Sequence, residues 1–532
     1  MDPARARTKL VAAFEQRDWP RVQRRAEEVL LAASDDAAAH FMLGMACLRR
    51  RQEERAVVAL REACRLEPAR PDYLAHYAEA LAAVRQLLEA CAIADRAAAL
   101  SPRDPGVLAV LGNVYFQANA FGSAAAAMDR AASLAPRDAH LRFGLGRALE
   151  MLGDTAGADR ELQSCIEIEP RYWPAYLRLT MLKRQTAESQ HIYDWRELLR
   201  QNDSDPGARI FLNLALAKES EDLGDYTTAF HHYTCGKSAA RRTRPPSAER
   251  DRAMFSALLQ CFPGPDVQSE QGFPSAAPIF IVGMPRTGTT LLDRMLSSHP
   301  GVCSAGETQN FPTALQKASG SQEALLSLSD LAAATRHIDW YQLGATYVES
   351  TRPGTAAGPR FIDKLPHNFL YAGFIARALP NARILCLRRG ALDTCLGNFR
   401  HLFELESGFY DYSLDLLDIG HYYVEFDRLL AHWRTVLPGR IMEVGYESLV
   451  QAPEATLRHV LTFCDLPWNA LCLRPEDNQT PVRTPNSWQV REPVYASSIG
   501  RWRHYAHELQ PLRDILTVAG IEPENDSRAF CQ

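Results

Sequence analysis

Four prolines recur at a constant spacing of 34 residues in the first third of the chain, at Pro68, Pro102, Pro136 and Pro170. Two columns of small residues keep the same register. They are Gly44, Ala78, Gly112 and Gly146, and Ala56, Ala90, Ala124 and Ala158. In an Ala- and Leu-rich stretch, such a period predicts stacked helical hairpins, because small residues let two helices approach closely and each proline ends a helix.

This period is that of the tetratricopeptide repeat. Residues 1–35 read as a divergent first hairpin, residues 172–203 keep the pattern poorly, and residues 208–240 read as one more repeat. We therefore expect an α-helical solenoid over residues 1–241 with about five to seven hairpins. Its concave surface would suit a peptide or protein partner. The alternative is a scaffold that only stabilises the chain or joins it into a homodimer.

Residues 242–277 have the composition of a connector, with Pro-Pro and Pro-Gly-Pro runs around one short helical segment. The sequence therefore predicts a linker here and a second domain over residues 278–532.

The second domain opens with an anion-binding pattern at residues 278–300. An apolar run enters a turn rich in Gly and Thr and leaves as an amphipathic helix. Gly283 and Gly288 would let backbone N–H groups converge, and the helix N-terminus adds partial positive charge. Hydroxyl donors come from Thr287, Thr289 and Thr290. The expected ligand is a phosphate-like group.

The glycine spacing copies the start of a Walker A loop, but Thr289 stands where that motif requires Lys. Arg286, inside the loop, offers instead a planar fork of donors to phosphate or sulfate. The missing lysine argues against ordinary Mg-ATP chemistry, and another P-loop transferase or NTPase stays as an alternative.

Three more apolar runs end in polar residues, with helical segments between them. The runs are 361–362, 384–387 and 441–444, and the polar residues after them include Lys364, Arg389 and Tyr446. Strands that alternate with helices predict a parallel sheet covered on both faces. Since ligands bind at the carboxyl ends of such strands, these side chains and Thr287 should converge on one crevice.

The order of these motifs resembles the sulfotransferase superfamily, above all protein-tyrosine sulfotransferases and bacterial sulfotransferases linked to tetratricopeptide repeats. The resemblance spans roughly residues 278–505 and rests on Pro285-Arg-Thr-Gly-Thr-Thr290, His299-Pro300, Gly306-Glu307-Thr308, Lys364-Leu-Pro and Arg389. It implies a P-loop-like α/β sulfotransferase domain that uses the donor 3′-phosphoadenosine 5′-phosphosulfate (PAPS) and no metal.

The resemblance also implies roles for individual residues. The 5′-phosphosulfate of the donor would lie in the loop from Arg286 to Thr290, and Glu307 would be the general base. Lys364 would assist the leaving group together with Arg286, Arg389 would hold the 3′-phosphate, and Tyr446 would contact the donor.

Two positions depart from the family pattern. Gly397 stands where the family has a serine on the 3′-phosphate, so either Asn398 or Arg400 replaces that contact or the 3′-phosphate is held less tightly. The segment that begins at Ser487 resembles the adenosine-side segment of the family, with Arg501 where a Lys is usual. The expected donor-binding residues are therefore Arg286, Thr287, Gly288, Thr289, Thr290, Arg389, Asn398, Tyr446, Ser487 and Arg501. We expect Asp363, Asp393 and His299 to have structural roles.

Composition limits the remaining choices. Lys plus Arg number 59 against 64 Asp plus Glu, so no global positive charge indicates a nucleic-acid partner. No uncharged apolar run has the length of a membrane span. We therefore expect a cytoplasmic protein. The family resemblance implies that it is a sulfotransferase acting on a hydroxyl, with protein tyrosine as one acceptor. The alternatives are another P-loop enzyme and an inactive PAPS-binding scaffold, for which Gly397 is the warning sign.

Overall fold

The computed structural model describes residues 3–264, 271–320, 337–351, 359–405, 407–478 and 498–524. The chain separates into two compact units, Met1–Ala175 and Tyr176–Gln532. None of the described helices combines the length and apolarity that a membrane crossing needs.

The first unit is a series of helical hairpins, as the 34-residue period predicts. Its helices are α1 (Pro3–Glu15), α2 (Trp19–Ala32), α3 (Ala37–Arg49), α4 (Glu53–Leu66), α5 (Pro71–Ala83), α6 (Leu87–Ala99), α7 (Pro105–Gln117), α8 (Phe121–Leu134), α9 (Ala139–Leu152) and α10 (Thr155–Ile168). The small-residue columns lie where two helices meet. A Cβ added at Gly44 would come within 2.4 Å of Leu60, and one at Gly112 within 2.8 Å of Met128. The predicted repeat fold is confirmed.

The turns inside these hairpins repeat with the same period. A left-handed backbone conformation, with φ between 54° and 84°, recurs at Arg17, Arg51, Arg85, Asn119 and Gly153. These positions stand 34 residues apart, so the period extends back into the first hairpin, whose sequence is divergent.

A second helical stretch follows, composed of α11 (Trp173–Met181), α12 (Ile192–Gln201), α13 (Pro206–Asp222), α14 (Tyr226–Arg241) and α15 (Ala248–Cys261). Leu214, Tyr233 and Phe255 of these helices share one hydrophobic core with Phe280 and Trp433 of the α/β part of the chain. Packing thus groups residues 208–240 with the second unit, although their sequence keeps the repeat pattern.

The second unit contains a five-stranded sheet. Its strands are β1 (Pro278–Gly283), β2 (Val302–Ser304), β3 (Arg360–Asp363), β4 (Arg383–Arg388) and β5 (Ile441–Gly445). All neighbours pair in parallel, in the order β2-β3-β1-β4-β5. The predicted parallel sheet is confirmed, and β2 is a strand that the sequence pattern did not reveal because it has only three residues.

Helices cover both faces of this sheet. They are α16 (Thr289–Ser297), α17 (Asn310–Ser319), α18 (Trp340–Thr351), α19 (Ala372–Ala378), α20 (Ala391–Arg400), α21 (Leu416–Val436), α22 (Tyr446–Gln451), α23 (Pro453–Phe463) and α24 (Gln510–Val518). Ile279 and Ile281 of β1 belong to one core, whereas Phe280 and Val282 belong to the other. Alternate residues of a strand face opposite sides, so a continuous apolar run is what a central strand requires.

Candidate active site

The loop between β1 and α16 is shaped by two glycines. Gly283 has φ 144°, and a Cβ at this position would lie 2.4 Å from the carbonyl oxygen of Leu387 in β4. Gly288 has φ 98°, and a Cβ there would lie 2.5 Å from the ring of Tyr446. Neither position can accept a side chain without a shift of its neighbours, so both glycines are needed for the close approach.

Between these glycines the loop is held in a strained conformation. Arg286 adopts a left-handed backbone with φ 68°, which is uncommon for a residue with a side chain. The hydroxyl of Thr287 donates to the carbonyl oxygen of Met284 at 2.8 Å and closes the turn. Local strain of this kind persists where the surroundings hold it and is concentrated at functional sites.

Helix α16 begins at this loop without a side-chain cap among the described residues. Gly288 is its N-cap residue. The first N–H groups of a helix have no partner within the helix, and the helix dipole places partial positive charge there. Thr289 and Thr290 lie in this first turn. The geometry of the loop therefore suits an anion.

A Lys–Glu ion pair lies at the neighbouring strand ends. Glu307 follows β2 and Lys364 follows β3, and the backbone N–H of Lys364 donates to the carbonyl oxygen of Gly306 at 2.9 Å. Lys364 Nζ lies 2.5 Å from Glu307 Oε1. The lysine side chain is 3% exposed and the glutamate side chain 33% exposed, so an acceptor arriving from solvent can reach the carboxylate.

Two further carboxylates surround this pair. Asp363, fully buried, accepts hydrogen bonds from the hydroxyls of Tyr347 at 2.9 Å and Thr308 at 3.0 Å. Burial raises the pKa of Asp363 to about 7. Burial also raises the pKa of Asp293 in α16, while the positive charge of Lys364 opposes that rise.

Arg389 lies at the end of β4, beside the loop. Its guanidinium stacks 4.8 Å over the ring of Tyr446 and donates to the carbonyl oxygen of Arg286 at 3.3 Å. Asp393 lies 3.3 Å from the same guanidinium. The Nε atom of Arg389 is buried and has no hydrogen-bond partner within the described ranges. This donor could serve an anion next to the loop.

Asn398 and Gly397 of helix α20 pack against the loop between β1 and α16. The Asn398 amide nitrogen donates to the carbonyl oxygens of Pro285 at 2.7 Å and Thr394 at 2.9 Å. Its amide oxygen accepts from the Tyr412 hydroxyl at 3.1 Å. A Cβ at Gly397 would lie 3.1 Å from the Cβ of Arg286. In this arrangement Asn398 supports the loop backbone and Gly397 makes room for Arg286.

Arg400 and Arg501 share one buried carboxylate, Glu221 of α13. Arg400 Nη2 lies 2.5 Å and Arg501 Nε 2.9 Å from its two oxygens. Burial opposes ionisation of Glu221, but the two arginines outweigh it and lower its pKa. The sequence analysis did not find Glu221, because a glutamate in a repeat helix carries no signal of a partner 179 residues away.

The strand order brings most of the expected residues to one edge. Thr287, Lys364, Arg389 and Tyr446 follow β1, β3, β4 and β5, which are consecutive neighbours in the sheet. The expected Ser487 lies outside the described residues.

The expected structural residues have structural partners. His299 bonds to the carbonyl oxygen of Pro467 at 3.0 Å and accepts from the N–H of Gly301. Asp393 accepts from the N–H groups of Gly500 and Trp502, and so caps the short helical turn Arg501–Tyr505.

Family models match both parts of the chain. Residues 278–470 match the sulfotransferase family, and residues 37–70 match a tetratricopeptide repeat. The chain is also similar to the sulfotransferase domain of the olefin synthase from Synechococcus PCC 7002, with 21% identity over 48% of this chain and 96% of that one. The TM-score is 0.35, a likeness too weak to bear on the fold.

Two curated relatives extend the comparison. An uncharacterized protein of Aquifex aeolicus is 31% identical over 389 residues, which cover 70% of this chain and 49% of the relative. A protein-tyrosine sulfotransferase of Drosophila melanogaster is 28% identical over 260 residues, 46% of this chain and 52% of the relative. The chain thus spans about half the length of these relatives. Together with the loop and the strand-end residues, these matches place residues 278–470 with the sulfotransferase family, a family of transferase enzymes, and residues 37–70 with the tetratricopeptide repeats.

Proposed function

We propose that this protein transfers a sulfuryl group from PAPS to an acceptor hydroxyl, with tyrosine on a protein as the acceptor. The observation that carries the proposal is the 2.5 Å contact between Lys364 Nζ and Glu307 Oε1, at the edge of the sheet where the anion loop lies. A carboxylate that solvent can reach, beside a buried ammonium and an anion cradle, suits transfer of an anionic group to a hydroxyl.

The residues present fit such a donor. The first N–H groups of α16, the Arg286 fork and the hydroxyls of Thr289 and Thr290 would hold the 5′-phosphosulfate, whereas the Thr287 hydroxyl already donates to Met284. Arg389, whose Nε has no hydrogen-bond partner among the described residues, would hold the 3′-phosphate beside Tyr446. Ser487 and Arg501 stay predictions for the adenosine side. When bound, the donor supplies the sulfuryl group.

The chain's own residues then have distinct tasks. Glu307 accepts the proton of the acceptor hydroxyl as the new S–O bond forms, and a base of this kind is worth about 100- to 10,000-fold in rate. Lys364 and Arg286 neutralise the charge that develops on the phosphate oxygen as its bond to sulfur breaks. The existing Lys364–Glu307 contact holds the two side chains together at the ends of β2 and β3 before substrates arrive.

Tyrosine as acceptor is supported by the relatives that are named protein-tyrosine sulfotransferases. The repeat unit would contact the protein that carries the tyrosine, since stacked hairpins form an extended surface for a peptide. We also propose that the protein forms a homodimer and is located in the cytoplasm.

Transfer of ³⁵S from labelled PAPS to a tyrosyl peptide tests this function. Glu307→Gln and Lys364→Met should each lower transfer at least about 100-fold while the product 3′,5′-adenosine bisphosphate still binds. Asp465→Asn is the matched control. This carboxylate pairs with Arg360 and Arg383, which begin β3 and β4 at the opposite edge of the sheet, so transfer should stay at the wild-type rate.

Three results would contradict the proposal. Full transfer by Glu307→Gln would show that Glu307 is not the general base. Donor binding by the wild type without transfer to tyrosyl peptides, sugars or phenols indicates a scaffold. Turnover of Mg-ATP without PAPS indicates a nucleotide hydrolase.

A further inference from the structure

Lys237 of α14 is a buried lysine without a carboxylate partner in the described part of the chain. The residue is 1% exposed. Its Nζ atom donates to the carbonyl oxygens of Ser413 at 2.9 Å and His401 at 2.5 Å, and lies 3.5 Å from that of Asn398. The ammonium group therefore bonds to three backbone carbonyls of the α/β part of the chain.

Two of these carbonyls lie at the C-terminal end of helix α20. The end of a helix exposes carbonyls without intrahelical partners and carries partial negative charge. A buried ammonium satisfies these groups and holds the last turn of the helix in place. Burial lowers the pKa of Lys237 to about 7, so the ammonium form, whose three N–H groups match the three carbonyls, prevails below that pH.

The same turn of α20 forms the wall behind the anion loop. The side chain of Asn398 donates to the carbonyl oxygen of Pro285 at 2.7 Å. Gly397 lies against Arg286, where an added Cβ would be 3.1 Å from the Arg286 Cβ. A displacement of this turn would therefore reach the two loop residues directly.

Arg286 needs such support because its left-handed backbone, with φ 68°, is unfavourable for a residue with a side chain. The same helical hairpin also contacts α20 through the pair of Glu221 with Arg400. The hairpin of α13 and α14, which the sequence assigns to the repeats, thus holds the helix that shapes the loop.

We propose that Lys237 is a positioning residue for the anion loop. By fixing the last turn of α20, it keeps Arg286 in its left-handed conformation and so sets the affinity for the phosphate groups of the donor. The part of this inference that concerns the donor rests on the proposed function, whereas the effect on the loop does not.

The test uses the full chain and two readouts. Calorimetric titration measures binding of 3′,5′-adenosine bisphosphate, and amide hydrogen exchange measures the order of residues 283–290 without any ligand. Lys237→Met should raise the Kd about tenfold and speed exchange in the loop. Lys218→Met is the matched control, because this lysine lies on the same hairpin and its partners are Asp222 and the carbonyl of Lys183, so both readouts should stay unchanged.

A double-mutant cycle tests the route through α20. Because Lys237 and Asn398 act on one turn, Lys237→Met combined with Asn398→Ala should weaken binding by less than the product of the two single effects. Lys237→Gln, which keeps N–H donors but no charge, is the second variant if Lys237→Met does not fold. It should show the same effects to a smaller degree.

Each contrary outcome has a definite meaning. Folded Lys237 variants with wild-type loop exchange and wild-type Kd overturn the positioning role, as do equal effects of Lys218→Met or additive effects in the cycle. Failure of both variants to fold assigns Lys237 to the stability of the unit and overturns it too. If the wild type binds no nucleotide while Lys237→Met still loosens the loop, the proposed function fails and the positioning role stands.

Discussion

Gly397 sets how closely helix α20 approaches the anion loop. Alanine is favoured over glycine in a helix by about 1 kcal/mol, but overpacking a close contact costs about 1–3 kcal/mol. Since the added Cβ would meet Arg286 at 3.1 Å, we expect Gly397→Ala to displace the loop and raise the Kd for 3′,5′-adenosine bisphosphate roughly fivefold or more. Calorimetric titration checks this, with Gly122→Ala as control because, its own stretch of helix aside, no atom of the described residues lies within 4 Å of its added Cβ.

The contact with Arg286 gives Gly397 a role other than that of a missing serine. The serine that the family resemblance places at position 397 would also add a Cβ against Arg286, so Gly397→Ser should weaken donor binding as well. Tighter binding by either variant would show that Gly397 is a missing contact and not a necessary space.

The raised pKa of Asp363 predicts that the free energy of unfolding depends on pH. Burial raises its pKa to about 7, whereas an unfolded aspartate titrates near about 3.9. Between these values the folded state binds more protons, so the free energy of unfolding falls as pH rises from about 4 to about 7. Asp363→Asn does not titrate. The wild type should lose stability relative to this variant across that window, by up to about 1.4 kcal/mol per pH unit, in urea unfolding curves. A constant difference between the two proteins would contradict the assignment.

At the scale of elements, backbone conformation distinguishes Gly153, which has a left-handed φ, from Gly122, which lies in helix α8. Gly153 ends α9 with φ 84°, so Gly153→Ala forces alanine into that conformation and should lower stability by about 1 kcal/mol. Gly122 lies inside α8 with open space around it, so Gly122→Ala should be neutral or raise stability by up to about 1 kcal/mol. Hydrogen exchange in α8 to α10 of the full chain measures both. Equal signs for the two substitutions would contradict the argument from φ.

At the scale of the whole molecule, the packing predicts where the chain can be shortened. A chain of residues 176–532 keeps Glu221 and the core residues Tyr233 and Phe255, so it should fold and transfer sulfate to a short tyrosyl peptide. A chain of residues 242–532 loses Leu214 and Tyr233 from the shared hydrophobic core and exposes the apolar side chains that pack against them. We expect the shorter chain to be unfolded by circular dichroism. Activity in residues 242–532 would show that the hairpin is dispensable.

Local patterns made much of this protein predictable. The helical repeats follow from proline and small residues in a 34-residue register, and the anion loop follows from glycines placed between an apolar run and a helix. The residues at the ends of β1, β3, β4 and β5 could be named because a parallel sheet collects its carboxyl ends at one edge.

Long-range contacts made the remainder unpredictable. Strand β2 has three residues, too few for a periodic signal, and it exists because β3 pairs with it. Asn398, expected at a phosphate, faces Pro285 because helix α20 packs against the loop.

The amino-acid sequence by itself determined the repeats, four of the five strands and the glycine-rich loop, since each shows in a pattern of residues close together in the chain. Only the tertiary structure decided that the hairpin of α13 and α14 supports the loop. Glu221 and Lys237 reach partners more than 150 residues away, and the energy of a buried charge depends on which groups surround it in space and not on its neighbours in sequence.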